Sequence, residues 1–155
     1  MRVADLYSPN VRSVAPDQAL VEAARLLCEE HVGALVVLRP DDAARRPIGM
    51  LTDRDIVRGQ LTRSADLFCL TVGDVMSSRA HVVTPDLEIS EAIAALNGHG
   101  VRRAPVVDPA GRLIGIVSLD DLLPALASDL EQLAQLMGTQ ARHERAPYFA
   151  GRARP

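Results

Sequence analysis

The sequence predicts an α/β (α+β) fold made of two tandem copies of one β-α-β-β-α unit. Two copies suggest a module with pseudo-twofold symmetry. Three observations carry this. First, residues 3–38 align without gaps on residues 72–107, at an offset of 69. Val3, Asp5, Ser8, Val14, Pro16, Asp17, Glu22, Ala23, Leu27, Val32 and Val37 find the same residue type in the second copy, and most other pairs exchange one aliphatic for another. Second, after a three-residue difference in loop length, Ile48–Ile56 lies over Ile114–Leu122. Third, the chain is 48% hydrophobic but only 3% aromatic, with no Trp. Its core must be Val, Leu, Ile and Ala, which suits strands buried on both faces under close-packed helices. Neither copy is large enough to bury a good core alone, so the two should form one module.

Each element follows in chain order. A short N-terminal segment precedes a strand at Ser13–Ala15, or Val82–Thr84 in the second copy. Pro16-Asp17 and Pro85-Asp86 are helix-start signals, since Pro is tolerated in the first turn and an acid there suits the dipole. Leu20, Ala23, Ala24 and Leu27 then recur at helical spacing, as do Ile89, Ala92, Ile93 and Leu96. The first of these helices is expected over 17–30. Ala34–Leu38 and Ala104–Val107 are β-branched runs. Asp41-Asp42 and Asp108-Pro109-Ala110-Gly111 are turns. Second strands at Ile48–Leu51 and Ile114–Val117 lead into helices opened by Thr52 and Ser118. The last helix continues through an apolar stripe, Leu122, Leu123, Leu126, Leu130, Leu133, Leu136 and Met137, despite Pro124. That stripe is longer than one repeat needs, so it covers the module's edge or packs on a second copy. The expected divisions are repeat 1 at 1–62, a linker at 63–71, repeat 2 at 72–127, a helical extension at 128–140 and a mobile tail at 141–155.

Composition limits the partners. The formal net charge is −3, which argues against nucleic acid. Basic charge gathers only in the tail, where Arg142, Arg145, Arg152 and Arg154 accompany Glu144. Cys28 and Cys69 have neither metal-knuckle nor redox spacing and are expected as buried free thiols of an intracellular chain. No apolar run reaches a membrane span, and Met1–Asn10 lacks the features of a signal peptide. The expected location is cytoplasmic. His31, His81 and His99 are scattered without zinc-motif spacing, so no metal is expected. No P-loop, dinucleotide fingerprint, nucleophile elbow or Cys with an obvious base is present, so no catalytic residue is expected.

Thr52-Asp53-Arg54-Asp55 and Ser118-Leu119-Asp120-Asp121 each begin a helix with a hydroxyl and place an acid three residues on. The plain reading is a capping box with Asp in place of Glu. Both stretches, with Gly49-Met50-Leu51 and Gly115-Ile116-Val117 before them, also resemble the Gly-h-h-[Ser/Thr]-x-x-Asp motif of the CBS domain. Val72–Met76 resembles that family's Val-Gly-Asp-Val-Met opening, and Arg102–Val106 its Arg-Arg-x-Pro-Val strand. The resemblance covers about 3–126.

The resemblance implies a non-catalytic regulatory module, commonly a homodimer, whose two repeats are packed through their sheets with two clefts left between them. Many members bind AMP, ADP, ATP or S-adenosylmethionine there. The motif's Asp holds ribose hydroxyls and its Ser or Thr binds ribose or phosphate. An adenine nucleotide is therefore the expected ligand. The chemistry is compatible: a helix N-terminus favours an anion, and aliphatic strands make a slot for adenine. Cleft A would join Met50, Thr52, Arg54 and Asp55 to Val82, Val83, Arg102, Arg103 and Pro105. Its arginines suit phosphate, unless they are solvated or form ion pairs with Asp53 or Asp55. Cleft B would join Ser118 and Asp121 to Ser13, Val14, His31, Val32 and Ala34. There Gly33 and Ala34 replace the arginine pair and Asp120 replaces Arg54. Cleft B should be empty or take a less charged ligand. The alternatives are a structural or protein-interaction module with empty clefts, or a binder of S-adenosylmethionine or another small ligand.

Overall fold

The computed structural model describes residues 1–145, with side chains described as far as Met137. The chain divides into two units, Met1–Leu119 and Asp120–Pro155. In the first unit, β1 (Ser13–Val14), β2 (Ala34–Leu38) and β3 (Pro47–Thr52) form one sheet in that order. β1 runs parallel to β2, and β3 antiparallel to it, with Val36 opposite Met50 and Ala34 opposite Thr52. β2 is buried along its whole length, which is why its sequence is continuously aliphatic rather than alternating. On one sheet face lies α1 (Leu20–Glu29), which buries Leu20, Ala23 and Leu27 among Val14, Leu35, Val37 and Leu51. α2 (Asp53–Arg63) adds Ile56 to that core. The opposite face, Ala34, Val36, Leu38 and Met50, packs on Val11 and on Leu113 and Ile116 of the second repeat. The repeats thus meet through their sheets.

The second repeat contains α3 (Val72–Val75), α4 (Ile89–His99), β4 (Arg103–Val107) and β5 (Leu113–Ser118). β4 and β5 are antiparallel. The strand expected at Val82–Thr84 is reduced to one bridge. Val83 pairs with Val106, its N–H donating to the Pro105 carbonyl and its carbonyl accepting from Val107 N–H, both at 3.0 Å.

The segment that opens each repeat crosses to the other repeat. Arg2 bridges to Glu88 and Ser8 to Ile116; at the offset of 69, Thr71 bridges to Ala19 and Ser77 to Met50. This crossing moves the helix starts. α1 begins at Leu20 and not at Pro16-Asp17, because the chain there receives the incoming segment. The Pro16 carbonyl accepts from Gly73 N–H at 2.8 Å and the Gln18 carbonyl from Val72 N–H at 3.0 Å. Pro85 and Leu87 accept from Ala4 and Val3 in the same way. Two glycines record the crossing. A Cβ built on Gly49 would overlap the Ser77 carbonyl, and one on Gly115 would overlap the Tyr7 ring. Each motif glycine therefore makes room for a crossing chain.

In the second unit, α5 (Leu119–Arg145, whose first residue belongs to the first unit) is one helix with Pro124 inside it. Leu122 is fully buried, whereas Leu123, Leu126, Leu130, Leu133, Leu136 and Met137 are exposed. The predicted stripe thus splits after its first residue. Helix continues into the first residues of the expected tail, and 146–155 lie outside the described residues.

Candidate functional site

Thr52 caps α2. Its Oγ1 accepts from Asp55 N–H at 3.2 Å, while Asp55 Oδ2 accepts from Thr52 N–H at 3.0 Å and Oγ1–H at 2.7 Å. The capping box predicted for these residues is fully formed, with Asp doing the work of Glu. The other carboxylate oxygen, Oδ1, accepts from Arg58 at 3.0 Å, and only 13% of the Asp55 side chain is exposed. Arg58 was missed in the sequence, although its spacing of three residues from Asp55 on one helix signals the contact. A carboxylate has about four lone-pair sites, so Asp55 retains acceptor capacity.

Thr71 and Asp74 make the same box at the start of α3, with bonds of 2.9 and 2.8 Å, and Arg63 lies 3.6 Å from Asp74. The Thr71 N–H, then its hydroxyl, then Arg63 hold the Asp74 carboxyl below the usual carboxylate range. This twin shows that Thr-x-x-Asp is sufficient as a helix-start device here. What separates Thr52 from Thr71 is its surroundings.

Those surroundings include Arg103. Its guanidinium crosses from β4 to the first repeat and lies over Gly33, where a built Cβ would sit 3.0 Å from Nη1 and 3.2 Å from Nη2. Gly33 immediately precedes Ala34, which is paired in register with Thr52. A half-buried arginine from one repeat is thus brought toward the strand end that carries the other repeat's cap. None of the ion pairs among the described residues uses Arg102 or Arg103. The expected alternative, pairing with Asp53 or Asp55, is not what forms: Asp55 takes Arg58, and Asp53 accepts from Arg54 N–H at 2.8 Å. Arg102 is exposed and its carbonyl accepts from Leu119 N–H at 2.8 Å. Arg54 is also exposed and Val82 is 46% exposed, while Val83, Pro105 and Met50 are buried. Met50 is tied to Ser77, whose Oγ accepts from its N–H at 3.1 Å.

Of the second set, Ser13 and Val14 form β1 and pair with Val36 and Val37. Val32 packs on the first core and Ala34 on the inter-repeat core. His31 is exposed with φ 52°, in the left-handed region, at the position where the second repeat has Gly100 with φ 63°. It therefore takes the turn that ends α1, a role that suits glycine. Ser118 is half-buried and opposite Arg103 in the β4–β5 ladder. Asp121 lies in the first turn of α5, in the other unit.

Other expectations change. Cys28 and Cys69 are both free but exposed, not buried. Cys28 follows Leu27 on the outer side of α1 and, with Val21, Ala24 and Leu67, lines a shallow apolar cavity of about 240 Å³. His81 and His99 are not scattered: their rings stack with centroids 3.7 Å apart. Burial, then His99 and Arg79, hold the His81 imidazole below its ordinary value. Among the described residues no three His, Cys, Asp or Glu gather as a metal site. No helix among them is long and apolar enough to cross a membrane.

Comparison with known proteins agrees with this architecture. Residues 3–61 and 72–128 match the CBS domain. An uncharacterised protein, MK0525, of Methanopyrus kandleri is 32% identical over 133 residues, 84% of this chain and just under two thirds (66%) of that one. Hypoxic response protein 1 of Mycobacterium tuberculosis is 35% identical over 118 residues, 76% of this chain and 80% of that protein. Its crystal structure, with two coordinated zinc ions, aligns with a TM-score of 0.68 and 33% identity over 80% of this chain and 98% of that one. A hexameric CBS-CP12 protein from bloom-forming cyanobacteria aligns with a TM-score of 0.70 and 25% identity, over 79% of this chain and 66% of that one.

Proposed function

Because this chain belongs to the CBS-domain family, we propose that it is a non-catalytic regulatory module that binds an adenine nucleotide between its repeats. The phosphates would lie between the Arg103 guanidinium and the N-terminus of α2 at Thr52, with Asp55 accepting from ribose. Val82, which is exposed, would wall the adenine. One observation supports this most: Arg103 crosses to Gly33, beside the strand end that carries Thr52, without a carboxylate partner among the described ion pairs. A guanidinium so placed suits phosphate, and a helix N-terminus adds N–H donors of the same polarity. The module would act in the cytoplasm, where exposed thiols such as Cys28 and Cys69 stay reduced.

The second reading is a module whose Thr52–Asp55 pair only caps α2, as Thr71–Asp74 caps α3. Thermal melting with AMP, ADP, ATP and S-adenosylmethionine at about 1 mM separates the two. A ligand selective for the folded state at 100 times its Kd adds about 2.7 kcal/mol. A rise in Tm with at least one adenine nucleotide supports the proposal. No rise with any of them favours the capping-only module.

A further inference from the structure

The two repeats clamp the same place with different chemistry. In the first, Arg12, just before β1, meets Glu30, just after α1, in an ion pair of 2.8 Å. At the offset of 69 these positions are His81 and His99, whose rings stack with centroids 3.7 Å apart and 17° between their planes. The backbone differs at the same point. Val36 N–H donates to the Arg12 carbonyl at 3.0 Å, but the residue matching Val36 is Pro105, which has no N–H to donate. At His81 the second repeat therefore has the ring stack where the first has both a ladder bond and an ion pair. The bridge between Val83 and Val106 is what remains of the strand there.

We propose that the His81–His99 stack is a proton-sensitive latch, which holds segment 81–83 on the second repeat while both rings are neutral and releases it when they take up protons. Arginine and glutamate both stay charged between about pH 5.5 and 7.5, whereas imidazole changes charge within that window. Two imidazolium rings in this stack repel each other. The titratable and charged groups facing His81 are His99 from α4 and Arg79 from its own segment. Arg79 is charged throughout, and neither group is a carboxylate that could neutralise an imidazolium. The latch therefore opens one repeat on acidification while the ion pair keeps the other shut. Segment 81–83 carries Val82, so, resting on the reading that an adenine nucleotide binds beside Val82, release also weakens nucleotide binding.

The test is amide hydrogen exchange of the full chain at about pH 7.5 and about pH 5.5, expressed as protection relative to the free-peptide rate at each pH. Wild type is compared with His81→Arg/His99→Glu, which carries the first repeat's pair. Far-UV circular dichroism checks its fold, and His99→Gln, at an exposed position, is a second variant without the stack. In wild type, protection of Val83 and Val107, whose N–H groups bond across the bridge, should fall on acidification by up to about tenfold for each proton taken up on release. Protection of Val36 should hold. Both variants should lose the fall at Val83 and Val107. Unchanged protection there in wild type, or the same fall in the variants, overturns the latch. ATP titration at the two pH values tests the coupling to the site. Affinity should fall further in wild type than in His81→Arg/His99→Glu, since the nucleotide's own protonation is common to both. Equal falls overturn the coupling. No ATP binding to either protein overturns the coupling and the nucleotide reading together, and the exchange result still decides the latch.

Discussion

Replacing Gly49 by Ala puts a Cβ into the carbonyl of Ser77, with the Met76 sulfur 3.2 Å away. The carbonyl cannot retreat freely, because its residue is tied to β3 three times. Ser77 N–H donates to the Met50 carbonyl at 2.9 Å, Ser77 Oγ–H donates to the same carbonyl at 3.1 Å, and Met50 N–H donates to Ser77 Oγ at 3.1 Å. Relief of the overlap costs overpacking strain of about 1–3 kcal/mol or some of these bonds, at about 0.5–1.5 kcal/mol each. A loss of about 2–4 kcal/mol follows. For a chain of this length each kcal/mol moves Tm by about 2–4 °C, so Gly49→Ala should melt roughly 5–15 °C below wild type. Thermal melts followed by circular dichroism, with urea titration for ΔG, measure this. Gly98→Ala provides the contrast. It lies in α4 with nothing within 4 Å of a built Cβ, so it should gain about 0.5–1 kcal/mol from helix propensity. If Gly49→Ala melts with wild type, the 71–77 segment does not cross β3 as described.

Two further outcomes follow from single side chains. His31→Gly relieves a left-handed backbone at φ 52° and should raise stability by up to about 1 kcal/mol in urea titration; a loss of stability would mean that the imidazole contributes more than the strain costs. The His81 pKa is lowered in the folded state by burial, His99 and Arg79. The unfolded chain therefore binds more protons as pH falls through about 6.5. Stability is full above that value and declines below it, until the folded-state pKa is also passed. His81→Gln should flatten the fall in Tm between about pH 7.5 and pH 5.5; an unchanged slope would show that His81 does not drive it.

The strands and caps were legible because they leave side-chain patterns. Ala34–Leu38 is aliphatic at every position and became a fully buried strand. Thr52 and Asp55 have capping spacing and formed the box. The crossing of the 1–8 and 71–77 segments was not legible, because it is held largely by backbone bonds such as Val3 N–H to the Leu87 carbonyl. Its side-chain trace is mainly the pair Gly49 and Gly115, which also fits a bare family motif. That crossing is why Pro16-Asp17 serves a receiving turn and not a helix start. Arg103 over Gly33 depends on how the sheets pack, so spacing along the chain could not show it. The exposure of Cys28 was within reach: Leu20, Ala23 and Leu27 define the buried side of α1, and residue 28 lies about 100° away from Leu27 around it.

Arg103 and the start of α2 together make the proposed phosphate site. Calorimetric titration of ATP into wild type and Arg103→Ala tests it most directly. A charge-assisted hydrogen bond contributes about 1.5–3 kcal/mol, and each 1.4 kcal/mol is tenfold in affinity. ATP should bind wild type, and Arg103→Ala should lose about tenfold or more in affinity. Equal affinity in the two proteins, or no binding to wild type, would contradict it.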